Sequence, residues 1–295
     1  MTGDRSLGVA LVVLSLGCGG SPPREVPSDD TGPRAASVVK ESATKSTATA
    51  SAAALSTGAP SGSGSARSRG VVGAEAVAAF DTMSDFDKSR VKHARIFFGH
   101  QSVGANILDG ARSLGFPSRP ITGTHDFDAP ALGEAPLLEN HEPLRKVKSF
   151  DAFVSTFGDR VDAVGMKLCW VDFYEPEKLV GLREAYAAEV DSLRKRYPKV
   201  AVFHVTPPLA TKEPVENGDR VAFGRWLIST YAQKDVVFDL EAVESMSSAG
   251  MPCVSRGVPA LCTEYAADDG HLNAVGAQRA AKAFIVALGR AVTPR

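Results

Sequence analysis

The sequence predicts an α/β fold, a three-layer α/β/α sandwich in which helices cover both faces of a mainly parallel central sheet. Strand-like segments alternate with amphipathic helical segments from about residue 92 to the end. The strand segments are almost continuously apolar, which is typical of parallel strands that are buried on both faces. At roughly 200 residues, this region is long enough to bury one hydrophobic core.

The first predicted elements are a helix, a strand, a second helix and a second strand. The second helix is indicated by an apolar face that repeats with helical spacing, and Gly115 ends it. The second strand is an apolar run that begins after a charged turn. In chain order the four segments are Ala74 to Phe80, Ala94 to Phe98, Val103 to Leu114 and Val161 to Leu168.

The later elements continue the alternation with a helix, a strand, a helix and a strand. The first of these helices stops at Pro198, and a last helix begins after Asn273, a residue type that caps helix N-termini well. The four segments are Leu179 to Leu193, Val200 to Val205, Val221 to Tyr231 and Val236 to Leu240.

Residues 1–18 resemble an export signal of the lipoprotein type. Arg5 supplies a positive charge, Leu7 to Leu16 form a short apolar core, and Cys18 follows. The apolar core is too short to span a bilayer, so contact with a membrane would come only through a lipid anchor on Cys18. We expect an exported protein anchored on the periplasmic face or in the outer membrane. The alternative is an ordinary secretory signal, with Cys18 incidental and a periplasmic or secreted product.

Residues 19–75 are predicted to form a disordered linker, followed by one folded domain over residues 76–295. Between Glu41 and Arg69, 24 of the 29 residues are Ala, Ser, Thr, Gly or Pro. Such a segment buries too little apolar surface to offset the entropy lost on ordering. Behind an acylated cysteine, it would let the domain stand away from a membrane.

The charge balance and the cysteines narrow the class of protein. A formal net charge of -1 gives no reason to expect a nucleic-acid partner. Cys253 and Cys262 flank a loop rich in glycine and proline, and in an oxidising compartment they would form a disulfide; the alternative is two unpaired thiols. Cys169 is then an odd, buried thiol. The spacing of cysteines and histidines does not suggest a zinc site.

Two short motifs carry groups that suit a serine hydrolase. Ser102 follows Gly99-His100-Gln101 on a predicted strand-to-helix turn, and Asp268 precedes His271 by three residues. A hydroxyl on a sharp turn, an imidazole that takes its proton and a carboxylate that orients the imidazole are the parts that acyl transfer needs. The alternatives are a Ser102 that caps a helix, a His271 that only packs, and Asp269 as the carboxylate.

The order of these motifs resembles the SGNH (GDSL-type) hydrolase family. The resemblance covers Ala94 to Leu288 and implies a flavodoxin-like α/β/α domain. It implies Ser102 as nucleophile, His271 as general base and Asp268 as the carboxylate that orients the base. It implies no cofactor.

The oxyanion hole of the family is not reproduced in this sequence. Asp172 matches the third family block, but Val171 stands where the asparagine donor belongs. Asn140 is a candidate substitute donor, and the glycine amide of the second block could come from Gly123 or Gly133.

Two segments that contain histidine can be interpreted in more than one way. His100 could line the substrate pocket or donate a hydrogen bond, or it could be a structural partner at the end of its strand. His125, Asp126 and Asp128 form a short cluster that is more typical of a solvated turn than of a metal site, and we expect no metal.

These observations predict an exported serine ester hydrolase that acts through an acyl-enzyme on a small-molecule carboxylester or a carbohydrate O-acyl ester. Two alternatives remain open. One is an acyltransferase that uses the same triad to acylate glycans. The other is a catalytically inactive SGNH-fold lipoprotein that only binds.

Overall fold

A sheet of seven parallel strands forms the middle layer of residues 70–293, the part of the chain described by this computed structural model. The strand order is β1-β7-β6-β5-β2-β4-β3. A small antiparallel hairpin, β8 and β9, lies outside this sheet. The strands are β1 (Val71–Val72), β2 (Arg95–His100), β3 (Ser118–Pro120), β4 (Ala131–Pro136), β5 (Ala163–Met166), β6 (Ala201–Val205), β7 (Val236–Phe238), β8 (Val254–Ser255) and β9 (Val258–Pro259).

Helices cover both faces of the sheet, which confirms the predicted three-layer α/β fold. Side chains of β2 alternate between the two cores: Phe98 packs against the layer that contains α3 and α8, and Phe97 packs against the layer that contains α4 and α5. The helices are α1 (Ala76–Asp81), α2 (Asp85–Lys92), α3 (Val103–Ser113), α4 (Pro143–Phe157), α5 (Leu182–Arg196), α6 (Pro214–Tyr231), α7 (Leu240–Glu244) and α8 (Ala274–Ala291).

The predicted elements lie close to their predicted positions, except that α6 begins at Pro214 rather than at Val221. The sequence analysis did not predict α4, a helix of 15 residues, nor the shorter elements α2, β3, β4, α7, β8 and β9. Asn273 caps α8 as expected, its side chain accepting a hydrogen bond from the Gly276 amide. β4 was not predicted because Gly133, Glu134 and Pro136 break its apolar pattern. β1 lies inside the stretch 19–75 that was assigned to the linker, since Val71–Val72 pairs with β7. The sheet therefore begins before residue 76, where the folded domain was predicted to start.

The segments that suggest export lie outside the described residues. These are residues 1–18, with Cys18, and the linker up to residue 69. Between residues 70 and 293, no helix combines the length and the apolar character that crossing a bilayer requires. The predicted disulfide between Cys253 and Cys262 is present, and Cys169 is a buried free thiol.

The position of β2 in the sheet determines where Ser102 lies. β2 pairs with β4 on one side and with β5 on the other. The chain leaves β2 toward the β4 side and later returns to build the β5 side. Ligand sites of parallel sheets form at the carboxyl ends of strands where the order reverses in this way. The turn that follows β2 therefore emerges at the centre of that edge, flanked by the loops after β4 and β5.

Close packing of α3 on α8 joins the two ends of the predicted triad. α3 begins directly after Ser102, and α8 begins shortly after His271. A Cβ atom on Gly110 would lie only 2.3 Å from the carbonyl oxygen of Ala277 in α8, so only glycine permits this approach. Asn106 of α3 also accepts a hydrogen bond from the Leu272 amide at 3.2 Å.

We predict that Gly110→Ala destabilises the protein by about 1–3 kcal/mol, because the added methyl group meets backbone that cannot move aside cheaply. The matched control is Gly218→Ala in α6, where a Cβ would meet no atom within 4 Å. That change should stabilise the helix by about 0.5–1 kcal/mol. Urea unfolding measures both, and equal stabilities of the two variants would contradict the packing described here.

Candidate active site

Ser102 occupies a strained turn between β2 and α3. Its backbone has φ 55° and ψ -107°, a conformation that costs a non-glycine residue about 1–3 kcal/mol. Its hydroxyl does not cap α3, although Ser102 stands at the N-cap position. Gly104 permits the turn, because a Cβ there would lie 2.4 Å from the Cβ of His100. The hydroxyl is therefore turned away from the helix.

A chain of hydrogen bonds connects Ser102, His271 and Asp268. Ser102 Oγ lies 2.5 Å from His271 Nε2, and His271 Nδ1 lies 2.8 Å from Asp268 Oδ2. An ionised carboxylate only accepts hydrogen bonds, so Nδ1 carries the proton and Nε2 is left to accept from the serine hydroxyl. The structure brings these three predicted residues together in the order that the motifs suggested.

Asp268 is held as an ionised carboxylate. Burial alone would raise the pKa of Asp268, but hydrogen bonds from the amides of Gly270 and His271 and from the His271 ring outweigh it and lower this pKa below its usual value. The two amides donate to Asp268 Oδ1 at 2.9 Å and 2.8 Å. The same hydrogen bonds fix the turn that carries the imidazole.

Asp269, the rival carboxylate, faces a different partner. Its Oδ1 accepts a hydrogen bond from the Thr211 hydroxyl at 2.8 Å, and its carbonyl accepts one from the Thr211 amide. The Lys212 ammonium lies 3.7 Å from the same carboxylate. Asp269 thus ties the loop that follows β6 to the turn that carries His271, and Asp268 alone of the two contacts the imidazole.

Trp170 lies against one side of the His271 imidazole. Its ring stands edge-on to His271, with centroids 6.0 Å apart, and a Cβ on Gly270 would lie 2.4 Å from the indole. The fully buried Arg220 donates two hydrogen bonds to the Trp170 carbonyl, at 2.9 Å and 3.1 Å. Trp170 therefore lines the site, whereas Phe173, three residues later, is buried in the core.

The donors at this edge of the sheet that have no partner in the described residues include the Ser102 amide and the Asn140 side chain. Within residues 70–293, the Ser102 amide has no acceptor in hydrogen-bond range. Asn140 lies in the loop after β4, where Leu137 donates to the His100 carbonyl, so this loop runs beside the Ser102 turn. The Asn140 side chain accepts from Lys146 Nζ at 3.0 Å through Oδ1. Its Nδ2 has no partner in the described part of the chain.

The two glycines suggested for the oxyanion hole are placed elsewhere. Gly133 lies in the middle of β4, opposite Phe97 of β2, where it makes room for Ile121. Gly123 lies beyond the edge strand β3, and its amide donates to Asp126 Oδ2 at 2.8 Å. The expectation that Gly133 or Gly123 supplies an oxyanion donor is therefore corrected. The Gly133 amide belongs to the sheet, and the Gly123 amide already donates to Asp126.

Asp172 and His100 were expected near the substrate, but both are buried structural groups. Asp172 is 1% exposed and forms an ion pair with Lys146 at 2.7 Å. His100 is 5% exposed, and its Nε2 lies 2.7 Å from Glu134. The hydrogen bond with His100 lowers the pKa of Glu134. The contact with Glu134 is the kind of contact that the structural alternative for His100 predicts.

Lys146 contacts Asn140 beside the candidate site, and the sequence analysis did not identify it. It lies on the apolar face of α4 with Pro143, Val147, Phe150 and Val154, and it is fully buried. A lysine at a core-facing position of an amphipathic helix is rarely buried without a partner. That position in the helical repeat was the signal that could have found it.

The remaining predicted clusters do not join the site. Asp126 closes a turn by accepting from the Thr122 and Gly123 amides, and His125 lies 3.0 Å from Asp128 on the surface. A cavity of about 580 Å³ lies at the amino ends of the strands, lined by residues such as Arg90, Asp162 and Lys199. None of the three triad residues lines that cavity.

Comparison with known proteins gives likeness at low identity. No protein-family model and no curated protein matches the chain. Among solved structures, it is similar to a protein from Streptococcus pneumonia described as a candidate platelet activating factor (15% identity, 74% of this chain and 92% of the other, TM-score 0.44). It is similar to a candidate lipolytic protein of the G-D-S-L family from Desulfitobacterium hafniense DCB-2 (11% identity, 66% and 99%, TM-score 0.44).

A third similar structure is a salicylyl-acyltransferase from a tetracycline biosynthetic pathway (12% identity, 65% of this chain and 53% of the other, TM-score 0.39). These values are too low for the activity of any of the three proteins to be assigned to this chain.

We predict that His271→Ala raises the pKa of Asp268, because the change removes the ring hydrogen bond but keeps both amide hydrogen bonds. Carbon-13 NMR titration of the aspartate carboxylates measures this. Asp126, whose pKa is lowered mainly by the Thr122 and Gly123 amides, is the internal reference and should not move. An Asp268 titration that is identical in both proteins would contradict the contact.

Proposed function

We propose that this protein is a serine ester hydrolase of the SGNH type. The observation that carries the proposal is the hydrogen-bonded chain from Ser102 Oγ through His271 to Asp268, at the carboxyl end of the central strand. The order and spacing of the motifs, which resemble those of the SGNH family, support the same assignment. One fold of this kind can serve many chemistries, so the site supports the function and the fold alone does not.

The first half-reaction forms an acyl-enzyme. Ser102 Oγ attacks the ester carbonyl while His271 Nε2 takes the hydroxyl proton, and Asp268 stabilises the imidazolium that results. The imidazolium then protonates the leaving alkoxide oxygen as the bond from the carbonyl carbon to that oxygen breaks. The strained Ser102 backbone keeps the hydroxyl at the surface of the turn, beside the imidazole.

The oxyanion of the tetrahedral intermediate needs fixed donors. The Ser102 amide is one, since it is unpaired in the described residues and belongs to the nucleophile itself. Asn140 Nδ2 is the second donor in this proposal. It replaces the asparagine that the family carries where this chain has Val171.

Hydrolysis is favoured over acyl transfer because the triad is open to water. The side chain of His271 is 31% exposed and that of Asp268 is 59% exposed. Water can therefore reach the imidazole, which activates it to attack the acyl-enzyme. A transferase that acylates glycans would have to exclude water at this step.

A binding-only role has less support than catalysis. A module that only binds does not need a serine at positive φ, nor a carboxylate and an imidazole aligned behind it. The strained backbone of Ser102 is explained if the hydroxyl must face a base. We propose small-molecule carboxylesters or O-acylated carbohydrates as substrates, with neither a metal nor an organic cofactor in the reaction.

We propose that the domain acts outside the cytoplasm. The Cys253–Cys262 disulfide supports this, since such bonds persist mainly in oxidising compartments. An acyl anchor on Cys18 and the following linker would then hold the domain near a membrane.

We predict one covalent adduct on Ser102 when the protein is treated with a fluorophosphonate probe, because an activated serine attacks phosphorus as it attacks a carbonyl. Intact-mass analysis should show the adduct on the parent protein and none on Ser102→Ala. His271→Ala should label at least about 100-fold more slowly. A folded parent protein that stays unlabelled, or labelling that survives Ser102→Ala, would contradict the proposed function.

We predict that Asp268→Asn lowers the rate of p-nitrophenyl acetate hydrolysis by about 10³–10⁴-fold, because an amide can stabilise the wrong imidazole tautomer. Asp269→Asn is the matched control, since that carboxylate faces Thr211, and it should keep activity within about threefold of the parent. The opposite ranking of the two variants would show that the carboxylate has been wrongly assigned.

A further inference from the structure

A buried ammonium group lies behind the proposed oxyanion donor. Lys146 is fully buried, and its Nζ donates to Asn140 Oδ1 at 3.0 Å and to Asp172 at 2.7 Å and 2.9 Å. The ammonium therefore contacts both oxygens of one carboxylate and the oxygen of one amide.

This ion pair is poorly explained by stability alone. Removing two charges from water is costly, and well-packed apolar side chains of similar volume often serve as well or better. Lys146 and Asp172 are both excluded from solvent. Lys146 lies on a face of α4 that otherwise packs apolar residues, and Asp172 lies in the turn after β5. The better explanation for the buried pair is the part of the structure that it holds in place.

The pair holds together the two loops that flank Ser102. Asp172 accepts a hydrogen bond from the His141 amide at 3.0 Å, in the loop after β4. Its other oxygen accepts from the Cys169 amide at 2.7 Å, in the turn after β5. His141 has φ 64°, a conformation that a non-glycine residue adopts only when its surroundings impose it.

The lysine also decides which way the Asn140 amide faces. An ammonium can only donate, so it must meet the oxygen of the amide. Nδ2 therefore points away from Lys146, and it has no acceptor among residues 70–293. Without the lysine, the amide could turn over at little cost and present an oxygen, which would repel an oxyanion.

We infer that Lys146 is a positioning residue: paired with Asp172, it orients Asn140 so that Nδ2 donates to the oxyanion. This inference rests on the proposed function and deepens it. The Val171 side chain has no donor to offer from the turn after β5, so in this inference the neighbouring loop supplies the side-chain donor. The buried pair is what makes a loop asparagine rigid enough to serve.

The test is a double-mutant cycle on the hydrolysis of p-nitrophenyl acetate by the full chain. Asn140→Ala should lower kcat by about 10²–10³-fold with little change in KM. Lys146→Gln should lower kcat by about tenfold or more, since an amide in its place no longer fixes the orientation of Asn140. In the Asn140→Ala background, Lys146→Gln should cause no further loss.

The matched control is Lys148→Gln, which removes the same charge from an exposed position of α4 and should leave kcat unchanged. If Lys146→Gln folds poorly, the pair Lys146→Gln/Asp172→Asn replaces it, because no buried charge is then left unpaired. Losses that multiply independently in the cycle, or an unchanged kcat in Lys146→Gln, would overturn the inference.

A second readout separates this inference from the proposed function. The side-chain amide signals of Asn140 in a nitrogen-15 NMR spectrum are identified by their loss in Asn140→Ala. They should shift in Lys146→Gln and stay in place in Lys148→Gln, whether or not the protein hydrolyses esters. If the signals shift but the protein is inactive, the result contradicts the proposed hydrolase function and confirms the contact between Lys146 and Asn140. If the signals do not shift, the result contradicts that contact.

Discussion

The contact between α3 and α8 is the constraint on which the site depends. Ser102 and His271 are far apart in the chain, and each stands just before one of these helices. Their 2.5 Å contact therefore requires the two helix starts to lie side by side. Gly110 permits this by letting the backbones approach, and the hydrogen bond between Asn106 and Leu272 holds the turn before α8 against α3. The central position of β2 then places the pair at the edge where loops from several strands converge.

The loops at that edge are held by buried polar groups as well as by apolar packing. Lys146 and Asp172 join the loops after β4 and β5, and Arg220 holds the Trp170 carbonyl. Under the loop after β6, Glu244 accepts from the Leu209 amide at 2.7 Å, and burial raises the pKa of Glu244 to about 8. Such groups are directional, so they fix loop backbones to a degree that non-directional apolar contacts cannot. A site built on loops needs this support if its donors are to stay within a few tenths of an ångström of their targets.

The sequence was sufficient for most of the long elements and for the two motifs, because hydrophobic periodicity and the spacing of Asp268 and His271 are local properties. The exception is α4, a helix of 15 residues that was not predicted. It was not sufficient where a partner distant in the chain decides the outcome. The choice between Asp268 and Asp269 depends on Thr211, and the exclusion of Gly123 depends on Asp126. β1 was assigned to the linker because its two residues are strand only when paired with β7. Lys146 left a signal in the helical repeat of α4, but its partners could not be read from that signal.

The central claim is that Ser102 is a nucleophile whose oxyanion is met by two donors. A crystal structure of the protein after reaction with a fluorophosphonate tests it most directly, since the phosphoryl oxygen occupies the position of the oxyanion. We expect phosphorus bonded to Ser102 Oγ, with its oxygen in hydrogen-bond range of the Ser102 amide and of Asn140 Nδ2. A phosphoryl oxygen that faces solvent, with the Asn140 amide turned elsewhere, would contradict the account of this site.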